Sequence, residues 1–180
     1  RDSHAAAYYD WGTEKETQWK ENYRLWMAFV NEYKNRGGRV TAGADSGYMY
    51  NLYGFGYIQE LELLREAGFH PMEVIQSATL NAAEAIGMDE QIGTIEVGKL
   101  ADMILMDQNP LKNLKYLYGT GDIKLNETNE VVRVGGVNYT IKDGIIYDAR
   151  QLLEDVKKIV DEEKEATPDW ESLLIQSIDR

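Results

Sequence analysis

A short apolar run closed by glycine on both sides, Gly38-Arg39-Val40-Thr41-Ala42-Gly43, lies between two segments of helical spacing. That order limits the fold more than any other feature of the chain. Ahead of it, Trp19, Tyr23, Trp26, Met27, Val30 and Tyr33 recur at steps of three and four, which predicts a helix over 14–36 halted at Gly37-Gly38. Thr13 and Glu16 stand three apart, the spacing of a capping box at its start. The run itself, apolar at its centre, suits a buried strand over 39–43. Behind it comes a loop over 44–56 rich in Gly and Tyr. Ile58, Leu61 and Leu64 then restore helical spacing over 57–67, with Gly68 as the stop. Helix, strand, long loop and helix in that order predict an α/β architecture.

The remainder divides by texture. Pro71 suits the first position of a further helix running to about Thr79, because its missing N–H costs nothing there. Asn81 is placed to cap a short helix over 82–86 that stops at Gly87. From Ile92 the pattern shifts to short strands, expected over 94–97, 102–106, 131–134, 137–141 and 145–147. Asp143-Gly144 between the last two is a hairpin signal, since a type I′ turn needs positive φ. A final helix is expected over 151–165, where Leu152, Val156, Ile159 and Val160 make a narrow apolar stripe ahead of Pro168. The expected domains are 1–90, 91–150 and an acidic helical tail over 151–180.

Charge excludes one class of partner. With 19 basic and 31 acidic residues among 180, the formal charge is −12. Neutralising a phosphate backbone needs clustered Lys and Arg, so neither nucleic acid nor an anionic membrane is an expected partner. No apolar stretch reaches the roughly 18 residues needed to cross a bilayer. The absence of cysteine removes disulfides and thiolate chemistry and leaves the compartment open, cytoplasmic or exported. The chain starts at Arg1 without an initiator Met or leader, and is expected to be a piece of something longer.

The residue that carries chemistry is Asp45, directly after the expected strand in Val40-Thr41-Ala42-Gly43-Ala44-Asp45-Ser46-Gly47. A carboxylate at the carboxyl end of a strand, ahead of a long loop and a helix, stands where α/β enzymes place catalytic groups. Taken by itself, such an Asp reads first as a turn residue capping local N–H groups.

The wider pattern resembles the amidohydrolase superfamily of metal-dependent hydrolases, its imidazolonepropionase-like members among them. The resemblance is carried by Gly43-Ala44-Asp45-Ser46-Gly47, then Glu60-Leu61-Glu62-Leu63-Leu64 with Ala67-Gly68, then Pro71-Met72-Glu73. It continues through Ala78-Thr79-Leu80-Asn81-Ala82-Ala83, then the run from Gly93-Thr94-Ile95-Glu96-Val97 to Gly98-Lys99-Leu100-Ala101-Asp102, and Asn109-Pro110. Each piece is weak; their order and spacing is the signal, and Lys142-Asp143-Gly144 extends it. The resemblance implies the C-terminal part of a (β/α)8 TIM barrel, residues 39–43 being its eighth strand, with a small β-sandwich and a C-terminal helix. It further implies one or two divalent ions, zinc the expected metal, and a small-molecule amide-type substrate whose C–N bond is hydrolysed by metal-activated water. Asp45 would contact the metal and shuttle the proton.

Most ligands of such a centre would lie outside this chain, which holds only two histidines. His70, just before a helix start, reads as an N-cap or surface residue. His4 falls in a loop over 1–12 with Tyr8, Tyr9 and Trp11, and reads either as a substrate contact or as plain loop. Ser46, Tyr48 and Tyr50 are the other candidate substrate contacts, in an aromatic loop continued by Tyr53 and Tyr57. Lys99, Thr79 and Asn81 are expected to serve turns and helix caps. A non-catalytic binding or assembly module on the same fold is the alternative, and a homo-oligomer is compatible with either. The 180 residues alone are expected to be inactive, because one carboxylate cannot hold a catalytic metal tightly.

Overall fold

The computed structural model describes residues 12–47 and 51–167. These form two compact units, residues 24–150 and residues 12–23 with 151–167. Helix α1 is Thr13–Asn35, α2 Gly56–Glu66, α3 Pro71–Ala78 and α4 Leu80–Ala85. Strand β1 is Met103–Leu105; a 3-10 turn over Leu114–Leu117 leads to β2 Asp122–Leu125, β3 Val131–Val134, β4 Tyr139–Lys142 and β5 Ile145–Asp148. Helix α5 is Ala149–Ala166.

The helices start and stop where the spacing predicts, with local corrections. Thr13 lies inside α1, and the Glu16 N–H donates to the Gly12 carbonyl, so the expected Thr13 to Glu16 box does not set the start. Glu16 instead takes the Lys20 ammonium one turn on, at 2.7 Å. At the other end Gly38 N–H returns to the Tyr33 carbonyl and Gly37 N–H to that of Lys34, with Gly37 at φ +86°. This is the left-handed termination that a glycine permits. Pro71 is the first residue of α3, as expected, and His70 is its N-cap, with its N–H on Glu73 Oε2 at 2.7 Å.

The core lies under α2. Ile58, Leu61, Leu64 and Ala67 face it at helical spacing and meet Phe69, Val74 and Leu114, with Phe69 and Val74 wholly enclosed. Met27 and Val30 of α1 pack against this cluster, as do Val40 and Ala42. No residue of α1 is fully buried, and Trp26, Phe29 and Tyr33 stay exposed. The 3-10 turn joins the same core through Leu114. Tyr118 just beyond it stacks obliquely on Phe55, ring centres 5.7 Å apart, and donates to Glu62 Oε2 at 2.9 Å.

Burial, and then the Glu62 carboxylate, push the Tyr118 phenol up to about 12. The phenol is held neutral in the folded chain, so this contribution to stability is present below the ordinary tyrosine range near pH 10 and lost as pH rises toward 12. In an NMR pH titration Tyr118 should ionise about two pH units after an exposed tyrosine, and Glu62→Gln should shrink the lag.

The β region is two antiparallel sheets, β1-β4-β5 and β2-β3. Asp143 and Gly144 join β4 to β5 with φ +50° and +79°, the conformation the hairpin signal required. Strand β2 had no expected counterpart, and the strand expected over 94–97 does not form. There Lys99 reaches across the turn to the Asp89 carbonyl and to Thr94 Oγ1, the latter at 2.6 Å, while Leu100 N–H donates to the Gln91 carbonyl at 2.8 Å. The backbone is thereby folded into turns and not offered to a ladder. Lys99 is a turn residue, as expected.

Asp102 ties two pieces of the motif run together. Its carboxylate accepts from the Lys142 ammonium and, at 2.7 Å, from the Asp143 N–H. The Lys142 hydrogen bond, then that of Asp143, hold the Asp102 carboxyl below the usual carboxylate range. The folded value is depressed, so the clamp is present above the unfolded Asp value near 3.9 and lost as pH falls through the lower folded value. The Asp143 amide resonance should therefore move only below about pH 4, and Asp102→Asn should abolish that acid transition.

Candidate active site

The segment carrying Asp45 differs from its expected form. Residues 39–43 are not in a sheet, and no ladder partner for them exists among the described residues. The side chains nevertheless alternate as in a strand: Val40, Ala42, Ala44 and Ser46 are partly covered, whereas Arg39, Thr41, Gly43 and Asp45 are exposed. Packing of Val40 and Ala42 on the core imposes that period of two.

Three hydrogen bonds hold the segment in place of a ladder. Ala42 N–H donates to the Ser77 carbonyl of α3 at 3.2 Å. Asn81 Nδ2 donates to the Val40 carbonyl at 2.8 Å. Asn51 Nδ2 donates to the Ala44 carbonyl. Asn81 was expected as a helix cap, but it lies within α4 and Thr79 takes the cap position. With Leu80 and Ala82 flanking it in the helix, Asn81 is carried round to the Val40 main chain, a contact 41 residues back that no local spacing announces.

Asp45 follows with φ +45°, a left-handed conformation that Asp tolerates better than most residues. Its side chain is exposed and makes no hydrogen bond or ion pair among the described residues. Ser46 turns to the covered side, with its Oγ next to Gly56 at the start of α2. Asp45 and Ser46 thus face opposite ways. Tyr53 lays its hydroxyl end over Gly47 and is otherwise exposed, and Tyr57 donates to the Ala78 carbonyl at 3.2 Å. Partial burial raises the Glu60 carboxyl, and burial followed by the nearby Glu60 raises the Tyr57 phenol. His4, Tyr8, Tyr9, Trp11, Tyr48 and Tyr50 lie outside the described residues. His70 is exposed at the α3 start.

A cleft of about 300 Å³ opens at the other end of the segment, between Lys34, Arg39, Phe69, Glu73, Ser77 and Asn81, and Asp45 does not line it. Lys34 there donates to Glu73 at 2.7 Å and sits 4.9 Å above the Phe69 ring. No group of three or more His, Asp or Glu able to hold a metal ion occurs among the described residues. Asp45 supplies one carboxylate, fewer donors than a tightly held divalent ion needs.

The sequence profile of the Amidohydrolase family matches residues 26–146, which include Asp45 and all of the core. The chain belongs to the amidohydrolase family. It is 40% identical over 79 residues to imidazolonepropionase of Geobacillus sp. (strain WCH70), covering 44% of this chain and 17% of that protein. It is 30% identical over 121 residues to 5'-deoxyadenosine deaminase of Methanobrevibacter smithii, 61% of this chain and 26% of that one. Among solved structures it is similar to a Xaa-Pro dipeptidase with bound methionine in the active site, with 26% identity and a TM-score of 0.51 over 68% of this chain and 25% of the dipeptidase. This amidohydrolase chain therefore spans about a quarter or less of the relatives it matches.

Proposed function

We propose that this chain is the C-terminal part of an amidohydrolase that hydrolyses a C–N bond in a small amide-type molecule, with Asp45 as its proton-transfer residue. The observation that carries the reading is the Asp45 carboxylate, exposed and unengaged at the end of a segment with strand alternation, inside the region matched by the family. Its relatives, an imidazolonepropionase, a 5'-deoxyadenosine deaminase and a Xaa-Pro dipeptidase, support a reaction at a carbon–nitrogen bond. On this reading 39–43 is the last strand of a (β/α)8 barrel, the region over 91–150 contributes to a β-sandwich, and 151–180 is a tail.

Asp45 would take the proton of the attacking water and return it to the departing nitrogen. A carboxylate with no competing ion pair suits both halves of that exchange. The family reading also brings a divalent ion, zinc the one we propose, with Asp45 as one of its contacts. The described residues do not by themselves make a set of ligands for it, so the others belong to residues outside them. Tyr48, Tyr50 and His4 remain the proposed substrate contacts, and Ser46, turned to the covered side beside Gly56, is not among them.

The test is the full-length protein, assayed on cyclic amides, Xaa-Pro dipeptides and aminopurine nucleosides, with bound metal measured by elemental analysis. Turnover of one class with at least one divalent ion per chain supports the reading. No turnover and no metal would favour a non-catalytic module.

A further inference from the structure

We propose that Asn51 is a positioning residue for Asp45, fixing the turn that aims its carboxylate; this rests on the reading of Asp45 given above. Asn51 grips the chain on both sides of Asp45. Its Nδ2 donates to the Ala44 carbonyl, immediately before Asp45. Its own carbonyl accepts from Gly47 N–H at 2.6 Å, two residues after. Between these two points Asp45 holds its left-handed φ of +45°. A non-glycine residue keeps that conformation only where its surroundings over-determine it, and here one residue supplies both flanking bonds.

The grip is anchored to the core. Gly56, the first residue of α2, is buried, and a Cβ added to it would fall on Asn51 Oδ1, with Ser46 Oγ 2.6 Å from the same point. The missing side chain at Gly56 makes the space in which the carboxamide sits. Asn51 Oδ1 is buried with no donor among the described residues. The group is thus held by shape and by its bond to Ala44, and not by satisfying its own acceptor. Two residues further along, Ile58 enters the core, followed by Leu61 and Leu64. Asn51 passes the fixed position of α2 to the turn at Asp45. Asn81 grips the same segment at Val40, five residues before Asp45, and leaves the Asp45 turn to Asn51.

The geometry makes Asn51 and Gly56 act as a unit, and the test uses that. In the full-length protein, Asn51→Ala removes the carboxamide, and Gly56→Ala expels it without removing it. Each is expected to lower kcat about 10- to 100-fold while KM stays within about threefold, because misplacement of a reacting group falls on the chemical step. The double variant should be no worse than the more damaging single one, since both act through one group. Selective ¹³C labelling of aspartate adds a readout independent of turnover: in both variants the Asp45 Cα resonance should leave its left-handed position. If Asn51→Ala does not fold, Asn51→Asp keeps the volume, deletes the donor and is expected to show the same changes. Unchanged kcat and an unmoved Asp45 resonance in variants whose parent is silenced by Asp45→Asn would overturn the positioning role alone. Full activity of Asp45→Asn would overturn the reading of Asp45, and the resonance would still decide whether Asn51 holds the turn. Additive losses in the double variant would also overturn the proposal.

Discussion

Asp45→Asn in the full-length protein is expected to lower kcat by about 10²- to 10⁴-fold, the range that general acid–base groups contribute. The substitution is unusually clean at this position. Asp45 sits at φ +45°, and Asn tolerates the left-handed region about as well as Asp, so the backbone has no reason to move. The side chain makes no hydrogen bond or ion pair among the described residues, so no structural partner is lost. What changes is the carboxylate's charge, and with it the ability to take a proton and to contact the proposed divalent ion. Asp45→Ala would mix that loss with backbone strain on the order of 1–2 kcal/mol. The check is steady-state kinetics beside thermal unfolding: a melting temperature within a degree or two and a collapsed kcat are expected. An Asn variant with undiminished hydrolysis would return Asp45 to the role of a turn residue.

Phe69→Ala should be the most damaging substitution for the fold, about 3–5 kcal/mol. Phe69 is fully enclosed, lies between the α2 stop at Gly68 and the α3 start at Pro71, and meets both helices. Its ring also carries the Lys34 ammonium at 4.9 Å, and that ammonium is the partner of Glu73. Truncation therefore opens a cavity and removes the surface on which a partly buried cation rests. Trp26→Ala supplies the contrast. Trp26 is larger, but it is 63% exposed, and its loss should cost no more than about 0.5 kcal/mol. Denaturant unfolding of both variants measures the difference, and a similar cost for the two would mean the core has been placed wrongly.

These two residues also show what could be read from the chain in advance. Asp45 stands out in the sequence because an apolar run, a carboxylate and then Ser46-Gly47 follow one another, and its role is a proposal. The helices were visible for the same reason, and so was the Asp143-Gly144 hairpin, since positive φ leaves a signature in residue choice. What stayed hidden depends on contacts distant in sequence. Residues 39–43 have a strand's composition, but pairing needs a second segment, and none pairs with them among the described residues. Residues 94–97 also look like a strand; Lys99 folding back on Asp89 and Thr94 decides otherwise. Asn81 resembles a cap until Val40 is brought beside it, and nothing in the sequence marks Asn51 within the Gly- and Tyr-rich loop. A buried glycine opening a helix with an Asn five residues earlier was the available signal, and it takes the fold to interpret it.

The alternation of 38–47 without a ladder has a consequence for assembly. Slipping a strand by one residue exchanges its two faces, and here that slip would hide Asp45 and expose Ser46. In most sheets neighbouring strands fix the register. In this chain Val40 and Ala42 pack on the core cluster that includes Phe69, and that packing assigns the inward face. A strand pairing with residues 39–43 would meet a segment whose inward and outward faces are already assigned. The segment acts as a template, and the side on which the carboxylate emerges is decided by core packing.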